Sequence, residues 1–321
     1  MQWLRQIIGN FTFVMLVVVL LASVLPARGV WVGYFDALTK GAIALLFFMH
    51  GAKLSRKAIV AGAGHWRLHL AIFGCTFVMF PLLGLAFKSL WIALLGDALA
   101  LGMLYLCALP ATVQSAIAFT SIARGNIPAA VCSASASSLL GIFVTPVLVQ
   151  WTMGKGEGQL ALLDAVLKIS LQLLLPFLLG HFFRPWLGSW VDRNRSWLKS
   201  VDQGSIQLVV YTAFSAAVVG GMWEMVSGQE LLLLVLACCV LLGLAIVLTT
   251  LLGRVIRFSL EDRIALLFCG SKKSLATGVP MAQVLFAGGA LVGPLLLPVM
   301  VFHQIQLMVC AVLAQRWGKR A

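Results

Sequence analysis

A chain of 321 residues that is 61% hydrophobic and only 10% charged lies far below the roughly 25% charge of a soluble domain, which excludes an ordinary water-soluble enzyme or binding module and leaves a polytopic membrane protein. At about 20 residues per helical span plus short connections, that length carries about ten spans. The net charge of +13 would suggest a nucleic-acid partner in a soluble chain; here its placement reports orientation instead, the partner is the lipid bilayer, and no nucleic acid is expected.

Spans are predicted at 6–26, 36–52, 68–88, 93–121, 127–152, 159–183, 205–223, 231–253, 264–287 and 291–315. The first, with Arg5 before FTFVMLVVVLLASVL and Pro26-Ala27-Arg28 after it, also has the pattern of a signal peptide; it is read as a retained span, because that makes the span number even and keeps the basic C-terminus inside. Alternate loops then carry very different charge. One side collects Arg5, Lys53, Arg56, Lys57, Arg67, Arg124, Arg184, Arg193, Arg195, Lys199, Arg254, Arg257, Arg263, Arg316, Lys319 and Arg320, the other only Arg28, Lys40, Lys88, Lys155 and Lys168. The positive-inside rule puts both termini in the cytoplasm, and a bacterial inner membrane is the expected location. Two cytoplasmic connections, HGAKLSRKAIVAGAGHWRLH and HFFRPWLGSWVDRNRSWLKSVDQG, mix basic residues with tryptophan and read as surface loops that anchor the topology.

The fourth and ninth spans carry the polar interruptions. LPATVQSAIAFTS contains Pro110, and FCGSKKSLATGVP contains Gly270, Gly278 and Pro280, so both helices are expected to break near their middles. An ordinary proline kink is the plainer alternative. Freed backbone groups at that depth must face protein or a wet cavity, and the two breaks are expected to cross. A shift of 159 residues, close to half the chain, superposes Gln114-Ser115 on Lys273-Ser274. Five spans per half is an odd number, which inverts the second copy in the membrane: residues 1–154 form one repeat and 155–321 the other.

Lys272 and Lys273 are the two basic residues left over from the loops. They lie eight or nine residues into their span, roughly 12–14 Å deep and close to the midplane of a ~30 Å core, too far to snorkel fully. All ten acids fall in loops or at span ends, so no carboxylate awaits them. An ionisable residue at such depth is a functional candidate by default, the alternative being that both merely keep a cavity hydrated. Other polar residues at similar depth are Thr112, Gln114, Ser115, Ser274, Thr277, His303 and Gln304, and these with Lys273 form the predicted solute site. His303 could pass protons, or be a neutral histidine bonded to a neighbouring helix. The seven cysteines show no C-x-x-C spacing and read as small apolar residues, so neither a metal site nor a cofactor is expected.

The stretch ALPATVQSAIAFTSIARGNIPAAVCSASASSLLGIFVTP, with its intramembrane proline, its ARGN turn and its Ser-rich fifth span ending in TP, resembles the bile acid/sodium symporter family, and GSKKS stands where that family carries Gly-x-Gln-Asn-Ser/Thr. The resemblance covers essentially the whole chain and is closest to a symporter-like branch with two basic residues at this position. It implies an all-α fold of ten transmembrane helices as an inverted five-plus-five repeat, with crossed, broken helices 4 and 9. It also implies a core of spans 3–5 and 8–10 and a panel of spans 1, 2, 6 and 7. A secondary transporter working by alternating access follows, with its solute beside the crossing.

The family's sodium ligands do not carry over. Its glutamate before the Gln falls on Phe268, its serine and threonine of span five fall on Ala130 and Ala134, and its Ser-Asn pair becomes Ser115-Ala116. Sodium wants hard oxygen ligands, which Phe and Ala lack. Ser133 and Ser137 remain as a weak ion site. The expected function is therefore transport of a small organic anion without the usual sodium sites. In this reading Lys272 acts as a tethered cation at the carbonyl ends of the broken helices, Lys273 pairs with the solute, and either can release a proton to couple the cycle to protons. Three alternatives stand beside it: sodium-coupled symport, a non-transporting membrane regulator, and an intramembrane enzyme using Ser271 or Ser274 beside a lysine. Labelling of a serine by an acylating reagent would favour the enzyme, and large cytoplasmic domains would favour the regulator.

Overall fold

A computed structural model of the chain describes residues 10–54, 60, 62, 64–154, 162–286 and 292–320. Arg5, Arg56, Lys57 and Lys155 of the charge pattern lie outside the described residues. Every described secondary-structure element is helical. Seven helices are long and apolar enough to cross a membrane: Val30–Lys53, Trp66–Ala86, Lys88–Ala108, Ile127–Met153, Val166–Arg193, Gly228–Val255 and Val292–Gly318.

Three of the ten expected segments fall short of that standard for different reasons. Asn10–Val24 is apolar but has 15 described residues. Arg195–Val219 is 25 residues long but begins with Arg195, Lys199 and Asp202. The ninth segment is divided into Leu260–Gly270 and Leu275–Leu285, each of 11 residues. Helix starts are set locally. Ser227 and Glu230 form a capping box before Gly228–Val255, Ser259 accepts from Asp262 N, and Asn126 accepts from Ala129 N just before a helix with Pro128 in its first turn.

The chain divides into two compact units. The first comprises residues 1–56, 157–226 and 279–294, and the second 57–156, 227–278 and 295–321. Within the first unit, Val30–Lys53 packs closely on Leu175–Arg193 through Gly51 and Gly180, where an added Cβ would overlap the backbone carbonyl of Phe177 or of Phe48. Thr39 and Thr212 share a 2.8 Å hydrogen bond, and Tyr211 donates to the Leu25 carbonyl at 2.9 Å.

Two expectations need correcting here. The basic, tryptophan-rich stretch from His181 to Gly204 is helical on both sides of Asn194, as the C-terminal end of Leu175–Arg193 and the start of Arg195–Val219. Its polar residues alternate with Phe182, Phe183, Trp186, Trp190 and Trp197, and the helix runs past the apolar stretch with Pro185 and Gly188 carried inside it. Asp202, placed in that loop by the sequence, is on the second of these helices, 0% exposed and ion-paired with Lys53. A buried carboxylate needs such a partner.

In the second unit glycines admit backbone against proline: a Cβ at Gly102 would meet Pro298, and one at Gly141 would meet Pro110. Asn126 ties two helix starts together, taking Glu261 O with its amide at 3.1 Å and donating its side chain to Asp262 at 2.7 Å.

Candidate functional site

Both interruptions, between Ala108 and Gln114 and between Gly270 and Leu275, belong to the second unit. Lys88–Ala108 ends before Pro110 and the chain resumes as helix at Gln114; Leu260–Gly270 ends at Ser271 and the chain resumes at Leu275. Pro110 has no amide to give and crowds the preceding turn, which stops the first helix. The groups freed by the break are met by side chains. Thr145 Oγ1 donates to Ala108 O at 3.0 Å, and Ala111 N donates to Ser137 Oγ at 3.1 Å. Ser274 N donates to Pro110 O at 2.9 Å and Tyr105 Oη to Gly278 O at 2.6 Å, joining the two interruptions directly.

Lys273 is 1% exposed, and its Nζ donates to three backbone carbonyls: Thr76 at 2.8 Å, Cys107 at 2.9 Å and Leu109 at 2.6 Å. Three acceptors require three N–H groups, which only the ammonium form has. The same atom lies 4.2 Å from the Phe80 ring centroid, a cation–π contact. Two of the carbonyls exist because Lys88–Ala108 stops where it does. The third comes from a π-helical turn, Cys75–Met79, in which Phe80 N donates five residues back to Cys75 O. In that register the next carbonyl, Thr76 O, faces Pro81, which has no N–H; the lysine supplies the missing donor. The Lys273 backbone is fixed as well: its N donates to Gln306 Oε1 at 2.9 Å and its O accepts from Gln306 Nε2 at 2.8 Å. Gln306 Nε2 lies 2.8 Å from His303 Nδ1, which holds His303 beside this backbone.

Lys272 behaves differently. It is 0% exposed, its Nζ has no hydrogen-bond partner among the described residues, and it sits 4.3 Å from the Phe119 centroid. Phe119 packs on Phe268, which packs on Trp317. The carbonyl ends are thus met by Lys273, whereas the sequence reading gave that role to Lys272. Both lysines lie in the non-helical interruption between Gly270 and Leu275, so helical periodicity does not set which of them faces the carbonyls; the neighbouring π turn, which frees Thr76 O, does.

The remaining candidates fall into small groups. Ser115 Oγ donates to Thr112 Oγ1 at 3.0 Å, and Ser274 Oγ lies 3.0 Å from Thr277 Oγ1 while accepting from Thr277 N. Gln114 is the exposed first residue of its helix. The Gln304 amide has no partner among the described residues. Ser133 is bonded to His69 Nδ1 at 2.6 Å and Ser137 caps the broken backbone, so both serines already hold structural bonds. Among the described residues no group of three His, Cys, Asp or Glu is placed to hold a metal. Sequence reasoning missed Thr76, Phe80, Phe119 and Tyr105. Only the first had a signal, a proline five residues downstream in CTFVMFP.

The profile of the SBF-like CPA transporter family matches residues 9–319. An uncharacterized protein of Pseudomonas aeruginosa is 62% identical over 317 residues, 98% of this chain and 95% of that protein. YfeH of Escherichia coli, named as a symporter, is 57% identical over 99% of this chain and 95% of its own length. Sodium/bile acid cotransporter 7 of Rattus norvegicus is 26% identical over 85% of this chain and 80% of its own. These relatives are transporters in name where a function is named, and with seven apolar helices of spanning length the chain is an integral membrane protein. The chain belongs to the SBF-like CPA transporter family, a family of transporters and not of enzymes.

Proposed function

We propose that the protein is a secondary transporter of a small organic anion, working by alternating access without bound sodium. The observation that carries this reading is the Lys273 ammonium on three carbonyl oxygens. Broken helices gather partial negative charge where their C-terminal carbonyls converge, and a cation must balance it. Here the chain supplies that cation itself, and the sodium-ligating positions of the symporter family are Phe268, Ala130 and Ala134. The fold in this proposal is the ten-span inverted repeat with crossed fourth and ninth spans, both termini in the cytoplasm, in a bacterial inner membrane. The polar groups of the solute site are Thr112, Gln114, Ser115, Ser274, Thr277, His303 and Gln304.

Lys272 is the coupling residue in this reading. Lys273 keeps its proton because three acceptors need it; Lys272 has no acceptor among the described residues, so its charged form loses little by giving the proton up. The groups near it are the Phe119 ring, Cys269, Cys310 and His303, and none of these is a carboxylate. Uptake into proteoliposomes with sodium and proton gradients imposed separately tests this. The expected result is anion uptake indifferent to sodium and accelerated by a pH gradient, with Lys272→Gln losing the acceleration by about tenfold or more. Uptake driven by sodium, or a Lys272→Gln variant with the parent response at every pH, would sink the proposal.

A further inference from the structure

The Gln306 side chain is 0% exposed and stands one helical turn from His303 on Val292–Gly318, so the two share a face. Its amide lies along the backbone of Lys273, where the interruption of the ninth segment leaves an N–H and a C=O with no helical partner. Lys273 N donates to Gln306 Oε1 at 2.9 Å and Lys273 O accepts from Gln306 Nε2 at 2.8 Å, as they would with a neighbouring peptide. This pairing decides which end of the amide is nitrogen. A backbone N–H can only donate and a carbonyl oxygen can only accept, so Oε1 must face the first and Nε2 the second. Turning the amide over would set N–H against N–H and oxygen against oxygen, and leave two buried backbone groups unpaired.

The amide nitrogen carries a second hydrogen, and Gln306 Nε2 lies 2.8 Å from His303 Nδ1. His303 Nδ1 must therefore accept, which leaves the ring proton on the other nitrogen, His303 Nε2. A proton on Nδ1 would face the amide N–H at that same 2.8 Å, and its other outlet, Lys273 O at 3.5 Å, is already bonded to Gln306. Lys272 is the titratable side chain that also acts on the ring; its ammonium has donors only, so it offers a proton on Nδ1 no acceptor. His303 is half-buried, and none of the described residues engages its Nε2.

We propose that Gln306 is a positioning residue that locks His303 as its Nε2–H tautomer, so that His303 meets the solute as a hydrogen-bond donor and takes no part in carrying the coupling proton. The solute atom opposite it is then an acceptor oxygen. The lock itself rests on the geometry around Lys273; its consequence for solute and coupling rests on the transport reading.

The test is nitrogen NMR of the full chain in lipid nanodiscs with isotope-labelled histidine. Ring shifts distinguish the two neutral tautomers from the imidazolium, and the signals of His303 are those missing from His303→Leu. Between about pH 5 and 8, where an ordinary histidine titrates, His303 is expected to keep the spectrum of the neutral Nε2–H ring. Gln306→Met removes the donor facing Nδ1, and His303 should then show the Nδ1–H tautomer or the imidazolium within that range. An Nδ1–H or imidazolium His303 in the parent chain, or an unaltered His303 in Gln306→Met, overturns the proposal; the parent spectrum decides even where the variant fails to fold. In proteoliposomes, His303→Leu should raise the KM for uptake about tenfold, the worth of one hydrogen bond, while a pH gradient accelerates uptake by the same factor as in the parent. An unchanged KM, or loss of that acceleration, overturns the role given to His303. A parent chain that takes up no anion would remove the transport reading, and the spectrum would still judge the lock.

Discussion

Lys273→Met is expected to lower the thermal midpoint of the purified protein by roughly ten degrees or more and to abolish transport, while Lys272→Met stays within a few degrees of the parent. The asymmetry follows from what each ammonium leaves behind. Removing Lys273 orphans three buried carbonyls, those of Thr76, Cys107 and Leu109, at about 1–3 kcal/mol each. Removing Lys272 orphans no group among the described residues, because none of them is hydrogen-bonded to it, and a methionine packs well against the Phe119 ring. A sharper test uses Lys273→Ala. It leaves three hard oxygens around a vacated position, a ligand set suited to a small cation. Sodium chloride should raise the midpoint of this variant by several degrees over choline chloride, and should not do so for the parent chain. A variant equally unstable in both salts would show that the lysine is not standing in for a cation. A Lys272→Met variant as damaged as Lys273→Met would undo the assignment of roles.

Legibility in the sequence followed the range of the forces involved. Apolar runs are local, so the helices were readable. The stops at Pro110 and around Ser271 were readable too, because proline and glycine act on their own turn. That two lysines sit in a buried segment was plain from their neighbours. Which of them meets the carbonyls was not, because the answer depends on Thr76, almost two hundred residues away in sequence and exposed to Lys273 only through a π turn whose trace is Pro81. The long helices across His181 to Gly204 were misread for a related reason. Charge at a membrane surface looks the same in a loop and in a helix that outruns the bilayer, and Pro185 and Gly188, which read as loop residues, are carried inside the helix. Asp202 was misplaced along with that stretch. Its partner, Lys53, was read as a topology anchor, and nothing local to either residue says that the two meet.

Gly51→Ala and Gly180→Ala are each expected to destabilise the protein by several kcal/mol, a large effect for a single methyl group, whereas Gly41→Ala on the same helix as Gly51 should be neutral or stabilise by up to about 1 kcal/mol. At Gly51 a Cβ would overlap the Phe177 carbonyl and approach the His181 amide; at Gly180 it would overlap the Phe48 carbonyl. These are backbone atoms, so no side-chain rotation can make room and the two helices must separate. Small residues allow such close approach in membranes, where dispersion contacts and not the hydrophobic effect hold helices together. Nothing lies within 4 Å of a Cβ at Gly41, so there only the higher helix propensity of alanine counts. The two contacts share one crossing, which makes a further result expected: the double variant should cost little more than the worse single one, because the first methyl has already moved the helices apart. Thermal unfolding in detergent, monitored by helical circular dichroism, measures all four variants. Additive losses would mean that each glycine acts alone, and a tolerated Gly51→Ala would mean that the helices do not meet this closely at all.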